Sequence, residues 1–341
     1  MRTILVTGAA GFIGTNFVRM LMDRDEPVRL VAYDQLTYAG NLANIAERID
    51  DKRLFFVRGD ICDAERLEAT WDQYHIDQVV HFAAESHVDR SIMGSGPFVK
   101  TNVMGTQVLL DVSRKKKVER FVNVSTDEVY GSLPEDKPTE KFVEETPLAP
   151  NSPYSASKAA ADCLVRAYVH TFGFPALVTR CSNNYGPYQF PEKLIPLFVT
   201  NLIEGKKVPL YGDGLNVRDW LHVEDHCQAI WTVLERGRIG EMYNIGGNNE
   251  LTNRRLTELI LAAMKCDWDK HVQYVKDRPG HDRRYAIDAG KIERELGWKP
   301  RHVFEEAIGA TIDWYRKSEA WWRAIKSGEY LKYYERQYAG R

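Results

Sequence analysis

Short β-branched and apolar runs alternate with stretches of helical spacing through the first half of the chain. Residues 3–6, 28–33, 54–58, 78–82, 120–124 and 176–180 read as strands. Between them, 11–23 and 97–114 read as helices, the second with Val99, Val103 and Leu110 at helical spacing. Strand and helix in regular alternation predict an α/β fold, a doubly wound parallel sheet covered by helices. Residues 131–153 break the rhythm. They are polar and carry Pro134, Pro138, Pro147 and Pro150, which predicts a long surface loop of the kind that often carries a lid. After Arg180 the alternation gives way to turn-rich stretches at 183–191, 211–216 and 246–249, so a smaller α+β lobe is expected mainly from there onward. The C-terminal tail is aromatic and charged: Trp314, Tyr315, Trp321, Trp322, Tyr330, Tyr333 and Tyr334 stand among basic residues. Glu319, Glu329 and Glu335 cancel much of that charge, which favours an amphipathic packing helix over a single-strand nucleic-acid platform.

Composition narrows the picture further. With 341 residues, 44% hydrophobic and 28% charged, the chain has room for a large core and no bias toward disorder. Its 46 Lys and Arg nearly balance 48 Asp and Glu, so no overall field would draw it to nucleic acid or to an anionic membrane, and a charged ligand must be met locally. The one basic run, 114–117, lies where a helix should end and suits the helix dipole. Cys62, Cys163, Cys181, Cys227 and Cys266 form neither CxxC pairs nor clusters with His, so no metal site is expected and reduced thiols in the cytoplasm are the simplest account. The glycines at 8, 11 and 14 interrupt the only stretch resembling a secretory core, and no targeting or spanning segment is expected.

Those glycines carry chemistry. The first strand runs into Gly8-Ala-Ala-Gly11-Phe12-Ile13-Gly14 and then a helix, which suits a tight turn, a close backbone approach and a close helix–strand contact. A pyrophosphate could meet the free N–H groups and positive end of that helix. GxxGxxG alone also fits a plain strand–helix turn. Asp34, 20 residues beyond Gly14 at the end of the second strand, adds a carboxylate for ribose hydroxyls. It favours NAD over NADP because a 2′-phosphate would be repelled and Gln35, Leu36 and Thr37 bring no cation. Asp60, after the third strand, suits an adenine contact or a helix cap.

Tyr154 and Lys158 are one helical turn apart in Pro153-Tyr-Ser-Ala-Ser-Lys-Ala, so their side chains share a face. A phenol has an ordinary pKa of about 10, and positive charge from Lys158 and an oxidised nicotinamide is expected to lower it by about 1–3 units, making Tyr154 a base. On its own a YxxxK also describes an exposed helix face. Ser125-Thr126-Asp127-Glu128-Val129-Tyr130-Gly131 follows the fifth strand, and its adjacent acids could equally be solvated or cap a turn.

The glycine turn, Asp34, the strand ending in Ser125-Thr126 and the YxxxK together resemble the extended short-chain dehydrogenase/reductase family over most of the chain. Related epimerases commonly have small neutral residues at the positions of Thr126, Asp127 and Glu128. The acids here, with Ala83-Ala-Glu-Ser-His-Val-Asp-Arg90, Asp34-Gln-Leu-Thr-Tyr-Ala-Gly-Asn41 and Asp277-Arg-Pro-Gly-His281, resemble the dTDP-glucose 4,6-dehydratase family. That resemblance implies an NAD-binding Rossmann domain at 1–180, with a return segment near 215–245, and a mainly nucleotide-sugar-binding lobe at 181–341. It implies oxidation of dTDP-glucose at C4, with Tyr154 as base and Lys158 and Thr126 supporting the oxyanion. Water is then lost across C5–C6, Glu128 removing the C5 proton and a protonated Asp127 assisting the C6 hydroxyl. Hydride returns to C6 and NAD is recycled. By the same resemblance, NAD would be lined by Gly8, Gly11, Phe12, Ile13, Gly14, Asp34, Gln35, Leu36, Thr37, Asp60, Ile61, Phe82, Ala83, Ala84, Glu85, Thr101, Tyr154, Lys158 and Asn184. The nucleotide sugar would be lined by Ser86, Thr126, Asn183, Lys193, Leu194, Pro209, Leu210, Tyr211, Arg218, Asn253, Asp277, Arg278, Pro279, Gly280 and His281. The helices at 97–114 and 153–171 correspond to a four-helix homodimer interface in the family. The competing readings are a UDP-sugar 4-epimerase or UDP-glucose 4,6-dehydratase, and a non-catalytic NAD-sensing scaffold.

Overall fold

Seven of the strands pair in one parallel sheet. In chain order the twelve strands among the described residues are β1 (Arg2–Thr7), β2 (Val28–Asp34), β3 (Leu54–Arg58), β4 (Gln78–His81), β5 (Arg120–Thr126), β6 (Ala176–Cys181), β7 (Asn183–Tyr185), β8 (Val208–Tyr211), β9 (Val217–His222), β10 (Met242–Ile245), β11 (Glu250–Thr252) and β12 (Val272–Val275). The computed structural model describes residues 1–24, 26–49 and 52–327. The main sheet has the order β10-β6-β5-β4-β1-β2-β3, every pair parallel. Strand order reverses between β1 and β4, and a crevice outside their carboxyl ends is where such sheets bind ligands.

Each face of the sheet is sealed by apolar side chains. One core holds Ile4, Val6, Leu30 and Val122 against helix Phe12–Met22, and it also takes Ile230, Val233, Tyr243 and Ile245 from helix Val223–Arg236 and β10. Ile292, Leu296 and Trp298 join it as well, a contribution from helix Gly290–Leu296 and the chain just after it that the sequence did not signal. The opposite face packs Leu5, Val31, Val79 and Phe121 on Leu67, Trp71, Leu110 and Val165. A third core, with Phe198, Trp220, Ile260, Phe304 and Trp322, belongs to the lobe. There β7, β9 and β11 form one small sheet and β8 and β12 another. Of these strands of three to six residues, β7 lies inside a stretch expected to be turns and β8, β9 and β11 flank such stretches, because short polar runs such as Asn183–Tyr185 carry no usable period.

The helix expected over 97–114 is interrupted. A π-helical stretch, Val99–Gly105, separates Gly96–Phe98 from Thr106–Lys115 and turns Val99 to solvent instead of the core. Such wide turns often accompany functional sites, and this one points Asn102 inward, 1% exposed. Lys115 and Lys116, at the end of the helix, pair with Glu68 and Asp72. The loop at 131–153 is hydrogen-bonded to a distant segment of the chain. Leu133 N–H donates to Arg284 C=O, Phe142 N–H to Ala286 C=O, and Arg284 donates to the carbonyls of Pro138 and Glu140, so its backbone is pinned to the chain before helix Gly290–Leu296. In the tail, Trp322 is fully buried and donates to Tyr315 C=O at 2.8 Å; Tyr330, Tyr333 and Tyr334 lie outside the described residues. No described helix is long and apolar enough to cross a membrane.

Beneath the sheet's carboxyl edge, Arg180 and Asp162 form an ion pair of 2.9 Å with side chains 3% and 2% exposed, and Asn123 donates to the other Asp162 oxygen. Breaking a buried pair from one side strands a charge, so Arg180→Met is expected to lower the unfolding free energy by about 3–5 kcal/mol in urea titrations. Adding Asp162→Asn to that variant is expected to recover part of the loss.

Candidate active site

The turn after β1 is shaped by backbone contacts that exclude side chains. Gly8 sits at φ +68°, and a Cβ there would lie 2.7 Å from Ala83 N; a Cβ on Gly14 would lie 2.2 Å from Gly8 O. Helix Phe12–Met22 starts on Gly11 with no side-chain cap, which leaves its first N–H groups directed at a cleft. Asp34 ends β2 and accepts from Ala10 N–H at 2.9 Å and Leu36 N–H at 2.8 Å, tying the strand end to the turn. A carboxylate has about four acceptor positions, so both oxygens retain capacity for a ligand. Asp60 accepts from Cys62 N–H and from Gln35 Nε2, while the cap of helix Ala64–Tyr74 is Asp63, so Asp60 lines the cleft instead of capping the helix.

Two cavities meet at the carboxyl edge of the sheet. The larger, about 290 Å³, is walled by the glycine turn, Asp34, Gln35, Thr37, Asp60, Ile61, Phe82, Ala83, Ala84, Glu85, Ser86, Thr101, Thr126, Glu128, Tyr154 and Lys158. The second, about 160 Å³, is walled by Leu194, Pro209, Leu210, Tyr211, Arg218, Asn253, Arg278 and His281. Glu128, Asn183, Asn184, Gln189, Glu192 and Lys193 line both, so the cavities are continuous there. Of the residues expected from the sequence, Leu36, Asp127, Asp277, Pro279 and Gly280 do not reach either wall. Leu36 adopts φ 58° and spends its N–H on Asp34. Asp277 stands behind His281 and accepts from its Nδ1 at 2.6 Å, which orients the ring.

Helix Pro153–Phe172 begins with Ser152 and Ser155 bonding each other's backbone N–H, with proline at its first position, a strong start signal. One turn in, Tyr154 and Lys158 both face the larger cavity. Lys158 Nζ donates to Val124 C=O of β5 at 2.8 Å. Asn102 fastens this helix to the turn after β4: its Nδ2 donates to Ser157 Oγ at 2.8 Å and Glu85 C=O at 2.9 Å, its Oδ1 accepts from Glu85 N–H, and Ser157 Oγ donates to Tyr154 C=O. Sequence spacing held no sign of Asn102, since the clamp joins three separate segments.

Thr126 ends β5, and Asp127–Tyr130 form a 3₁₀ turn capped by Thr126 Oγ1, which accepts from Glu128 N–H at 3.3 Å. Asp127 is 1% exposed and lies behind the wall; Thr126 Oγ1 donates to its Oδ1 at 3.3 Å, and its Oδ2 has no partner among the described residues. Residues lining the cavities hold other buried atoms without a partner among the described residues: Asn183 Oδ1, Gln189 Oε1 and Asn253 Oδ1. Buried polar groups are normally paired, so this set fits polar ligands filling both cavities. Around the second cavity Arg218 stacks on Tyr285 at 4.2 Å, Arg278 pairs with Asp89 at 3.2 Å, and Lys193 Nζ donates to Ser86 C=O. Burial lowers the pKa of Lys193 and of Arg218, an environment that an anionic group would relieve. Glu192 accepts from Arg90 at 3.0 Å, and Arg90 in turn lies 4.0 Å over the Tyr38 ring, which joins the stretches around Asp34 and Ala83 to the common wall.

Away from the cleft, His222, Glu224 and His302 approach one another closely enough to suggest metal ligands. The two rings stack at 4.0 Å and 28°, so their in-plane lone pairs do not converge, and Asp225 holds His302 by a 3.0 Å ion pair.

The sequence pattern of the family described as GDP-mannose 4,6 dehydratase matches residues 5–311. The dTDP-glucose 4,6-dehydratase of Streptomyces antibioticus is 56% identical over 95% of both chains, and that of Escherichia coli 50% identical over 99% of both. The dTDP-glucose 4,6-dehydratase of Streptomyces venezuelae, solved with NAD and a second ligand bound, superposes with a TM-score of 0.91 at 53% identity over 95% of this chain and all of the other. The chain belongs to the dTDP-glucose 4,6-dehydratase family.

Within this family member the electrostatics of the acid pair are unequal. Burial, then Glu128, then Asp219 push Asp127 well above the carboxylate range. Burial also raises Glu128, but Arg278, Lys193 and Arg218 oppose the shift. One proton is therefore held preferentially on Asp127. Tyr154 departs from expectation: burial, then Glu128, raise it well above the ordinary phenol value, with the Thr126 hydroxyl pulling weakly downward. The physical reason is that Lys158 turns its charge to Val124 C=O and is itself lowered by burial. Depression of the phenol must then come from a ligand's charge.

Because Asp127 is raised in the folded chain, its contribution to stability is whole below the ordinary carboxyl pKa of about 4 and is lost as pH climbs through the folded value. Asp127→Asn is insensitive to that loss. The melting temperature of the variant minus that of the parent is expected to grow by about 2–4 °C between pH 5 and pH 8 in thermal melts.

Proposed function

We propose that this chain dehydrates dTDP-glucose to dTDP-4-keto-6-deoxyglucose, with NAD as a recycled cofactor. The observation that carries the reading is Glu128 on the common wall of two cavities, with Tyr154, Lys158 and Thr126 beside it and a proton-holding Asp127 behind it. The glycine turn, Asp34 and the unsatisfied atoms fit NAD, which when bound accepts and returns a hydride. Asp34 suits the ribose hydroxyls and repels a 2′-phosphate.

The remaining chemistry is assigned to protein groups. Tyr154 Oη takes the proton of the C4 hydroxyl, and Lys158 and Thr126 steady the oxygen as it gains charge. The resulting ketone acidifies C5, whose proton passes to the Glu128 carboxylate. The proton for the departing C6 hydroxyl is assigned to Asp127, which stands behind the wall and must turn its carboxyl into the cavity to deliver it. The pyrophosphate is assigned to Arg218, Arg278 and Lys193, and the base to the wall of Pro209–Tyr211 and Asn253.

The chain is further proposed to act as a cytoplasmic homodimer. Its five free cysteines suit a reducing compartment, and Val99, Met104 and Phe172 leave apolar surface on the helices assigned to the interface. Light scattering at micromolar concentration is expected to give twice the 39.2 kDa chain mass; a monomer overturns the pairing.

Incubation in heavy water with dTDP-glucose, UDP-glucose and CDP-glucose in parallel is expected to show fastest turnover of the first, with loss of one water and uptake of deuterium at C5. A product of unchanged mass would mean epimerisation, and absence of turnover a scaffold. Glu128→Gln is expected to lower kcat by about 10²–10⁴-fold with KM little changed.

A further inference from the structure

The aromatic C-terminal segment has no part in the chemistry above, yet it reaches the dinucleotide turn. Helix Glu319–Ile325 is anchored by Trp322, fully buried. On the same helix, Trp321 Nε1 donates to Asn44 Oδ1 at 2.7 Å, a contact between residues 277 positions apart. Asn44 is 2% exposed, and its Nδ2 donates to Ala10 C=O at 3.1 Å and to Thr15 Oγ1 at 3.4 Å.

Ala10 is thereby held at both ends. Its C=O accepts from Asn44 and from Asn41 N–H, and its N–H donates to Asp34, the carboxylate assigned to the ribose. The polar chain has an aromatic wall: Trp314 packs edge-on against Trp321 at 5.2 Å and against Tyr188 at 4.8 Å, while Arg19 lies over Tyr188 at 5.1 Å and donates to Asn44 C=O. If packing were the whole purpose, an apolar ring on an apolar partner would suffice. A buried Asn that relays an indole N–H to one peptide of the turn instead fixes the orientation of that peptide.

We propose that Trp321 and Asn44 form a latch by which the C-terminal helix retains NAD, holding the Ala10 peptide in the geometry that keeps the turn's N–H groups on the cofactor. Both are positioning residues, acting through Ala10 and resting on the reading that NAD is the cofactor. Ordering the turn in advance lowers the cost of binding and shows chiefly as slower release. That suits an enzyme whose cofactor is recycled at every turnover.

The test compares Trp321→Phe, which keeps an aromatic ring and removes the N–H, with the parent. NAD remaining after repeated gel filtration is measured by acid release, and activity is assayed with and without added NAD. The variant is expected to release NAD about tenfold faster, the effect of one well-made buried hydrogen bond. It should lose activity on dilution, regain it with excess NAD, and keep the parent's KM for dTDP-glucose. Asn44→Ala added to Trp321→Phe is expected to accelerate release by less than it does in the parent. Equal NAD retention in variant and parent, or lost activity that NAD does not restore, overturns the latch. A parent protein that carries and needs no NAD removes the cofactor reading, and the latch with it.

Discussion

Concentrating two carboxyl groups, a phenol and an ammonium in and behind one buried wall is the constraint on which the rest of the molecule depends. Each of these groups is costly to bury as an ion, and the cost is met by controlling which of them carries charge. Asp127 is surrounded by burial and other acids and keeps its proton, whereas Glu128 faces three cations and is easier to ionise. Lys158 is tied to a strand carbonyl. Tyr154, buried beside Glu128, is a poor base until further positive charge arrives.

Position follows from the parallel sheet. β5 delivers Thr126 and the two acids at its carboxyl end, β1 delivers the glycine turn, and the reversal of strand order between β1 and β4 opens the crevice between them. Helix Pro153–Phe172 crosses the same edge, and Asn102, presented by a widened helical turn, locks it to the backbone at Glu85. The loop at 131–153 is held by hydrogen bonds of Phe142 and Arg284. The lobe supplies Arg218 and Arg278, two of the cations to which the pyrophosphate is assigned, and the common wall at Glu128 joins the two cavities.

The elements readable from the chain were those with a local cause. The six strands of the first half, the turn requiring Gly8 and Gly14, Asp34 at the end of β2, and the one-turn spacing of Tyr154 and Lys158 depend on periodicity or on neighbours a few residues away. The paired acids and the three motifs quoted with them likewise lie in short continuous stretches, which is why the family was legible.

Long-range contact decided the remainder. Only the folded chain determines that Glu128 lines the cavities while Asp127 sits behind them, that Lys158 is spent on Val124, and that Trp321 meets Asn44. The short lobe strands and the inward turn of Asn102 belong to the same class. Sequence spacing encodes which faces of one element agree, whereas burial and hydrogen-bond partnership depend on segments that meet only after folding, and those quantities set the protonation of this site.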